Sequence, residues 1–232
     1  VSATILLNDS STSELLAVME ADEITAVRTA AAASVASRYL AVKRPRVLSI
    51  VGAGFQAGYQ LRSHLALYRF DRIQVWGYAP DEARHFCERH SRLSRRFAVC
   101  STIRSCVEGA DIVITCTPSR RPIVQRSWIK KGAHINAIGA DAKGKQELDP
   151  AILKDSKIVV DEWEQASHSG EINVPVSNGL IRRRNIHAEL AEIVAGKRAG
   201  RTNTFEITVF DSTGLAIHDV FFAKYVYKRL RK

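Results

Sequence analysis

Residues Val47 to Gln60, VLSIVGAGFQAGYQ, constrain the fold more than any other stretch of this chain. An apolar, β-branched run meets Gly52-Ala53-Gly54 and then Ala57, where a helical pattern begins. The first glycine permits a tight turn, the second lets backbone approach a ligand, and the small Ala57 allows the helix to pack close to its strand. A helix opening at Phe55 and Gln56 offers unpaired N–H groups and the positive end of its dipole to an anion. The segment therefore has the form that seats a dinucleotide pyrophosphate. Turns between buried strands and helices also collect glycine, so the surroundings have to decide.

At 232 residues the chain can bury a substantial core, enough for one large domain or one domain plus part of another. A hydrophobic content of 46% with 25% charged residues suits a soluble globular protein. No apolar run approaches the ~20 residues that span a bilayer, and the first residues lack a signal-peptide pattern, so the expectation is a cytoplasmic protein without a membrane segment. Cys87, Cys100, Cys106 and Cys116 form no C-x-x-C pair, and no metal site is expected. Cys100 and Cys116 fall in strand-like runs, where cysteine behaves as a small buried hydrophobe. The net charge of +10 raises the question of nucleic acid. The basic residues are dispersed, with clusters at 92–96, 182–184 and 228–232, and no aromatic platform accompanies them, so a solvated basic surface is expected.

Along the chain, Thr4 to Leu7 and Leu15 to Met19 read as a hairpin, followed by an alanine-rich helix over Ile24 to Leu40. Strand, helix and strand then follow at Val47 to Val51, Gln56 to Tyr68 and Arg72 to Trp76, with another helix over 79–95. Further strands are expected at Ala98 to Ser101, Asp111 to Cys116, His134 to Ile138, Lys157 to Val160 and Thr204 to Phe210, with short helices near Ile103 to Gly109 and Pro150 to Lys154. A turn at Asp211 to Gly214 leads into a helix running from Leu215 to the end. This alternation predicts an α/β fold with a doubly wound, Rossmann-type parallel sheet.

Ligands of such sheets bind beyond the carboxyl ends of the strands. Thr117-Pro118-Ser119, Gly139-Ala140-Asp141 and Ser212-Thr213-Gly214 all follow strands there. Asp141 can orient an amine or act as a general base, or it can brace its own turn. Arg28, on an alanine-rich helix face, can clamp a carboxylate through two hydrogen bonds or snorkel to solvent. His134 and His168 receive no catalytic role. The strand ending at Trp76 carries neither the acid that holds an adenosine ribose nor an arginine for a 2′-phosphate, and Asp81 is expected to cap the next helix. The choice between NAD and NADP stays open.

The segments ITAVRTAAAASVASRYLA, VGAGFQAGYQ, TPSRRPIV, GAHINAIGADAKGKQELDP, HSGEINVPVS and EITVFDSTGLAIHD resemble, in order, the ornithine cyclodeaminase and mu-crystallin family, and within it the archaeal-type alanine dehydrogenases. The resemblance implies an NAD(P)-dependent oxidoreductase acting at the CH–NH₂ group of a small L-amino acid, with alanine and pyruvate the leading pair. An ornithine cyclodeaminase or cyclic ketimine reductase is the alternative. By position, Asp141 matches the catalytic acid near the amine and Arg28 the group gripping the substrate carboxylate. Gly52, Gly54, Phe55, Gln56, Ala57, Thr117, Pro118, Ser119, Gly139, Ala140, Ser212, Thr213, Gly214 and Leu215 match the cofactor side. The implied partners are a small amino or keto acid and a second copy in a homodimer, with no nucleic acid and no membrane. The implied organisation is a dinucleotide-binding domain over 42–210 and a partial substrate and dimerisation module built from 1–41 and 211–232. Family members carry a further lysine and arginine in a region preceding the segment that matches Val1. The expectation is thus a retained cofactor fold with an incomplete substrate pocket, an exposed apolar hairpin, and, as a further alternative, cofactor binding without turnover.

Overall fold

The computed structural model of the protein describes residues 3–79 and 81–231. Val1, Ser2, Pro80 and Lys232, which fall within the expected end modules, the helix over 79–95 and the last helix, lie outside the described residues. In chain order the elements are β1 (Thr4–Asn8), β2 (Leu15–Glu20), α1 (Asp22–Leu40), β3 (Val47–Val51), α2 (Phe55–Leu67), β4 (Arg72–Trp76), α3 (Glu82–Arg89), β5 (Phe97–Val99), α4 (Ile103–Val107) and β6 (Ile112–Thr115). There follow β7 (Arg120–Val124), β8 (His134–Ala137), β9 (Gln146–Leu148), α5 (Pro150–Lys154), β10 (Ser156–Val160), α6 (Trp163–Ser169), α7 (Asn173–Ser177), β11 (Ile186–Glu189), α8 (Leu190–Val194), β12 (Ile207–Asp211) and α9 (Ala216–Leu230).

Eight strands form one parallel sheet in the order β11-β10-β12-β8-β6-β3-β4-β5. Its central strands are apolar on both faces because helices cover both sides; Ile50, Ile73, Ile112, Ile114 and Ile135 are all fully buried. Each such side chain contributes roughly 1.5–3 kcal/mol of transfer free energy. From β3 the chain winds outward through β4 and β5, then returns to place β6 on the other side of β3. Strand order therefore reverses between β3 and β6, which fixes where a crevice opens at their carboxyl ends. The hairpin of β1 and β2 stands outside this sheet, with Leu6, Leu15 and Val18 exposed. Helix α9 packs against both α1 and β1.

Three expected elements differ in extent. The helix expected over 79–95 is confined to α3: His90 leaves the helical conformation, and of residues 91–95, Leu93 is exposed and the others are basic or polar. The strand expected from Thr204 starts at Ile207, since the Asn203 side chain accepts hydrogen bonds from the Phe205 and Glu206 amides, both 2.9 Å, and holds a turn there. Asp211, expected in the following turn, is instead the buried last residue of β12. The sequence reading did not anticipate the short elements β7, β9, β11, α6, α7 and α8.

The alanine-rich face of α1 lets it lie close to α2, and a polar seam runs beneath. His64 bonds Ser37 Oγ through Nε2 at 3.0 Å and the Gln60 carbonyl through Nδ1 at 2.8 Å. Asn136 donates to Ser37 Oγ, and His134 continues the seam to Thr208. Both rings are fully enclosed, and burial pushes His64 down to about 4 and His134 to about 3. The folded protein thus refuses protons that the unfolded chain accepts near pH 6.5, and these rings disfavour folding as pH falls from about 6.5 toward 4. Asp211, pushed up to about 7 by burial, acts with the opposite sign, because its folded form holds a proton the unfolded chain releases. Its contribution cancels between wild type and a His64 variant. Urea denaturation of His64→Gln between pH 4.5 and 6.5 should show the slope of stability against pH made less positive than in wild type by up to one proton, about 1.4 kcal/mol per pH unit; an unchanged slope would contradict the assignment.

Candidate active site

Two cavities open at the carboxyl ends of β3, β6, β8 and β12, and they share Cys116 and Thr117. The larger, about 720 Å³, runs along Gly52, Ala53 and Gly54 and past Trp76, Tyr78 and Glu82, with Thr117, Pro118 and Ser119 opposite. The smaller, about 290 Å³, is walled by Arg28, Gln56, Thr117, Gly139, Asp141, Lys145, Ser212, Thr213 and Gly214. A wider groove of about 840 Å³, bordered by Arg38, Tyr39, Lys43 and Tyr68, lies at the opposite, amino-terminal end of the sheet, away from the strand-order reversal.

The glycine turn has the shape its sequence predicts. Gly52 takes φ +100, and a side chain there would begin 2.8 Å from the Cys116 carbonyl. Gly54 faces open space, with nothing within 4 Å of where its Cβ would lie. Ala57 is buried in the helix-to-strand contact. Gln56 borders the smaller cavity and donates to the Ala26 carbonyl at 3.2 Å, whereas the Phe55 ring projects outward, away from both cavities. Ala140 is buried behind the wall, and Leu215 belongs to a separate, largely apolar pocket behind Arg28.

Arg28 and Asp141 meet at the smaller cavity. Arg28 neither snorkels nor stands free: its Nε donates to Asp219 Oδ1 at 2.8 Å, and a side chain on Gly214 would collide with its guanidinium. Among the described residues its Nη groups have no hydrogen-bond partner. Asp141 is ion-paired with Lys145, a cation of the cavity wall that the sequence reading passed over. The Thr213 hydroxyl is buried and without a partner among the described residues.

The loops around the cavities are tied by buried carboxylates, which the sequence reading also missed. Glu147, on β9, accepts from Thr115 Oγ1, Thr117 N and Thr117 Oγ1, each at 2.7 Å, and from Gly139 N at 2.9 Å. Glu171 in turn accepts from the amides of Glu147 and Leu148, and Asp211 from those of Glu171 and Ile172. Asp161 holds Gly214 N at 2.8 Å and Ser212 Oγ at 3.3 Å. Burial pushes Glu147, Glu171 and Asp161 above the usual carboxylate range, with these hydrogen bonds pulling against it. No periodicity distinguishes such acids from surface ones.

Two smaller expectations are corrected. Asp81 stands at the start of α3, but in its helical conformation, φ −97 and ψ −8, the carboxylate does not accept from the first-turn amides to cap the helix, and it pairs with Arg84 at 3.2 Å. Cys106, under β3, is the fully buried thiol, while Cys100 and Cys116 lie just past their strands and are half-buried.

Residues 1–232 match the family model described as the ornithine cyclodeaminase/mu-crystallin family. The alanine dehydrogenase of Archaeoglobus fulgidus is 43% identical over 233 residues, covering 98% of this chain and 70% of that protein. A solved archaeal alanine dehydrogenase dimer with bound NAD superposes with a TM-score of 0.95 at 43% identity, again over 98% of this chain and 70% of that one. Δ1-pyrroline-2-carboxylate reductase of Thermococcus litoralis, solved with NADH and L-proline, superposes with a TM-score of 0.94 at 42% identity, over 98% and 71%. The fold and site thus define an oxidoreductase-type α/β protein with a doubly wound sheet. The chain belongs to the ornithine cyclodeaminase/mu-crystallin family and spans about 70% of the length of these relatives. Among the described residues, no helix is long and apolar enough to cross a membrane.

Glu147→Ala would leave the Thr117 and Gly139 amides buried without acceptors. It should lower unfolding free energy by roughly 3 kcal/mol in chemical denaturation, and a loss below about 1 kcal/mol would show that the loops hold together without it.

Proposed function

We propose that this protein is an NAD(P)-dependent oxidoreductase acting on the CH–NH₂ group of a small L-amino acid, with L-alanine and pyruvate plus ammonia as the leading pair. One observation carries the reading: a cavity along an open glycine turn joins, at Cys116 and Thr117, a second cavity that brings together Arg28, Asp141 and Lys145. The larger cavity fits a dinucleotide. Its turn leaves room at Gly54 for a diphosphate to approach the backbone, α2 begins there with free amides, and the orphan Thr213 hydroxyl nearby can satisfy a bound amide. Gly52, Gly54 and the Phe55, Gln56 and Ala57 amides would hold the diphosphate. Thr117 to Ser119, Gly139 and Ser212 to Gly214 would flank the nicotinamide, whereas Ala140, buried behind the wall, and Leu215, in the separate pocket behind Arg28, fall outside that set.

When bound, the nicotinamide supplies the acceptor or donor of hydride. The chain's own groups do the rest. Arg28, oriented through Nε by Asp219, offers its Nη groups to the substrate carboxylate as a planar fork. Asp141, paired with Lys145, takes or returns the proton of the amine or of a water molecule at the same carbon. The loop 212–214 forms one wall of the small cavity beside that carbon. Residues 1–41 and 211–232 are proposed to form the substrate-side module on the 42–210 domain, and a second copy is proposed to cover the exposed Leu6, Leu15 and Phe221, in keeping with the dimeric archaeal relative.

A second reading, reduction of a cyclic imine to a cyclic amino acid, draws on the similar reductase solved with L-proline. The assay that tests both follows loss of NADH or NADPH absorbance with purified protein and either pyruvate plus ammonium or Δ1-pyrroline-2-carboxylate. Turnover is expected with pyruvate and ammonium; turnover with the cyclic imine alone transfers the assignment to the second reading, and cofactor binding with neither turnover reduces the chain to a binder. Gly54→Ala separates the site from the fold. Stability should change by less than about 0.5 kcal/mol, because the methyl group meets open space, while NADH affinity by fluorescence titration should fall at least about tenfold as the methyl group enters the diphosphate seat.

A further inference from the structure

In a doubly wound sheet the side chain that reads a dinucleotide's adenosine ribose ordinarily stands at the end of the second strand. A carboxylate there accepts from the ribose hydroxyls, whereas an arginine receives a 2′-phosphate. Here that strand is β4, and it runs into Trp76, Gly77 and Tyr78, with no side chain able to do either.

The fold fills the place from α3. Glu82 folds back over the strand end, where its Oε2 accepts a hydrogen bond from Tyr78 N at 2.7 Å. A side chain on Gly77 would begin 2.8 Å from Glu82 Cβ and 2.9 Å from Oε2, so the glutamate occupies the space that a strand-end residue would take. Gly77 is what admits it. Glu82 is half-buried, borders the 720 Å³ cavity, and has no ion-pair partner among the described residues. Tyr78 N is the one hydrogen-bond donor to its carboxylate among the described residues, leaving Oε1 to accept from a ligand. Trp76, Ile103 and Ile123 give the same cavity apolar walls suited to a purine ring. Arg121 also borders it, but from β7 beside Ser119 rather than from the end of β4.

We propose that Glu82 selects the cofactor: its carboxylate accepts from the free ribose hydroxyls of NAD(H) and repels the 2′-phosphate of NADP(H). The selection rests on the reading of this cavity as a dinucleotide site. The hydrogen bond from Tyr78 N opposes movement of the carboxylate, and a phosphate placed against it meets like charge.

Fluorescence titration of the full chain with NADH and with NADPH tests this. NADH should bind about 30-fold or more tightly than NADPH, within the range a charge-assisted hydrogen bond spans. Glu82→Gln keeps the size and an acceptor for Tyr78 N but removes the charge; it should tighten NADPH by about tenfold, weaken NADH by less, and leave the thermal melt unchanged. NADPH binding as tightly as NADH, or a ratio that does not move in Glu82→Gln, overturns the assignment. If wild type prefers NADPH and Arg121→Gln abolishes that preference, the selecting residue is Arg121 and the proposal fails. If neither nucleotide binds, the dinucleotide reading itself falls, a result distinct from binding with the wrong preference.

Discussion

A relay of buried carboxylates onto backbone amides sets the geometry on which the site depends. Asp211, at the end of β12, holds the amides of Glu171 and Ile172; the Glu171 carboxylate holds the amides of Glu147 and Leu148; and the Glu147 carboxylate holds the loops after β6 and β8 through Thr117 and Gly139. Except for Glu147 to Gly139, which are 8 residues apart, these links join residues 23 to 40 positions apart through hydrogen bonds of 2.7 to 3.0 Å. Enclosing three acids costs desolvation, which shows in the direction their protonation is pushed. The multiple donors around each group offset that cost, and since loop amides must find partners once water is excluded, a carboxylate with several lone pairs satisfies more of them than a hydroxyl can.

The relay works because the sheet beneath it is rigid. Parallel strands buried on both faces fix the heights at which β3, β6, β8 and β12 end, and the loops leaving them need only be tied laterally. On the β3 side the tie is steric, through Gly52 against the Cys116 carbonyl; on the β8 and β12 sides it is electrostatic. The two proposed ligand volumes meet between these ties, at Cys116 and Thr117. A displacement of Thr117 would therefore be felt in both.

What could be read from the sequence follows from this division. Local patterns encode local structure: β3, β4 and α5 agree residue for residue with their predicted bounds, because short apolar runs, glycine and a proline at the first turn of a helix act within a few positions. The glycine turn was legible for the same reason; Arg28 came into view by its place on an alanine-rich helix face, Asp141 by its place after a strand, and both by family resemblance. The acids of the relay were not, since a glutamate in QEL or GEI looks like a surface residue until the distant amides it serves are known. The ladder of β7 with β9 escaped for a similar reason: each strand is short, and only the fold supplies its partner. Glu82 is an intermediate case, visible as a residue but not as an occupant of the space above Gly77.

This contrast between local and distant construction bears on what can vary. The proposed dinucleotide seat is drawn mainly from one contiguous stretch and the strand ends beside it, so its shape follows from a short sequence with little freedom. The proposed substrate side joins Arg28 to Asp219, 191 positions apart, and sets both near a loop held by Asp161. Such a pocket changes through substitutions on any of several elements without disturbing the glycine turn. Two relatives of almost equal similarity to this chain, an alanine dehydrogenase solved with NAD and a pyrroline carboxylate reductase solved with NADH, are named for different substrates. Identity over the whole chain therefore weighs heavily on the cofactor side and lightly on the substrate. On the proposed reading, substrate choice falls to side chains facing the 290 Å³ cavity, where Arg28 would suit any α-carboxylate and the wall that includes Gln56 would limit what that carboxylate can carry.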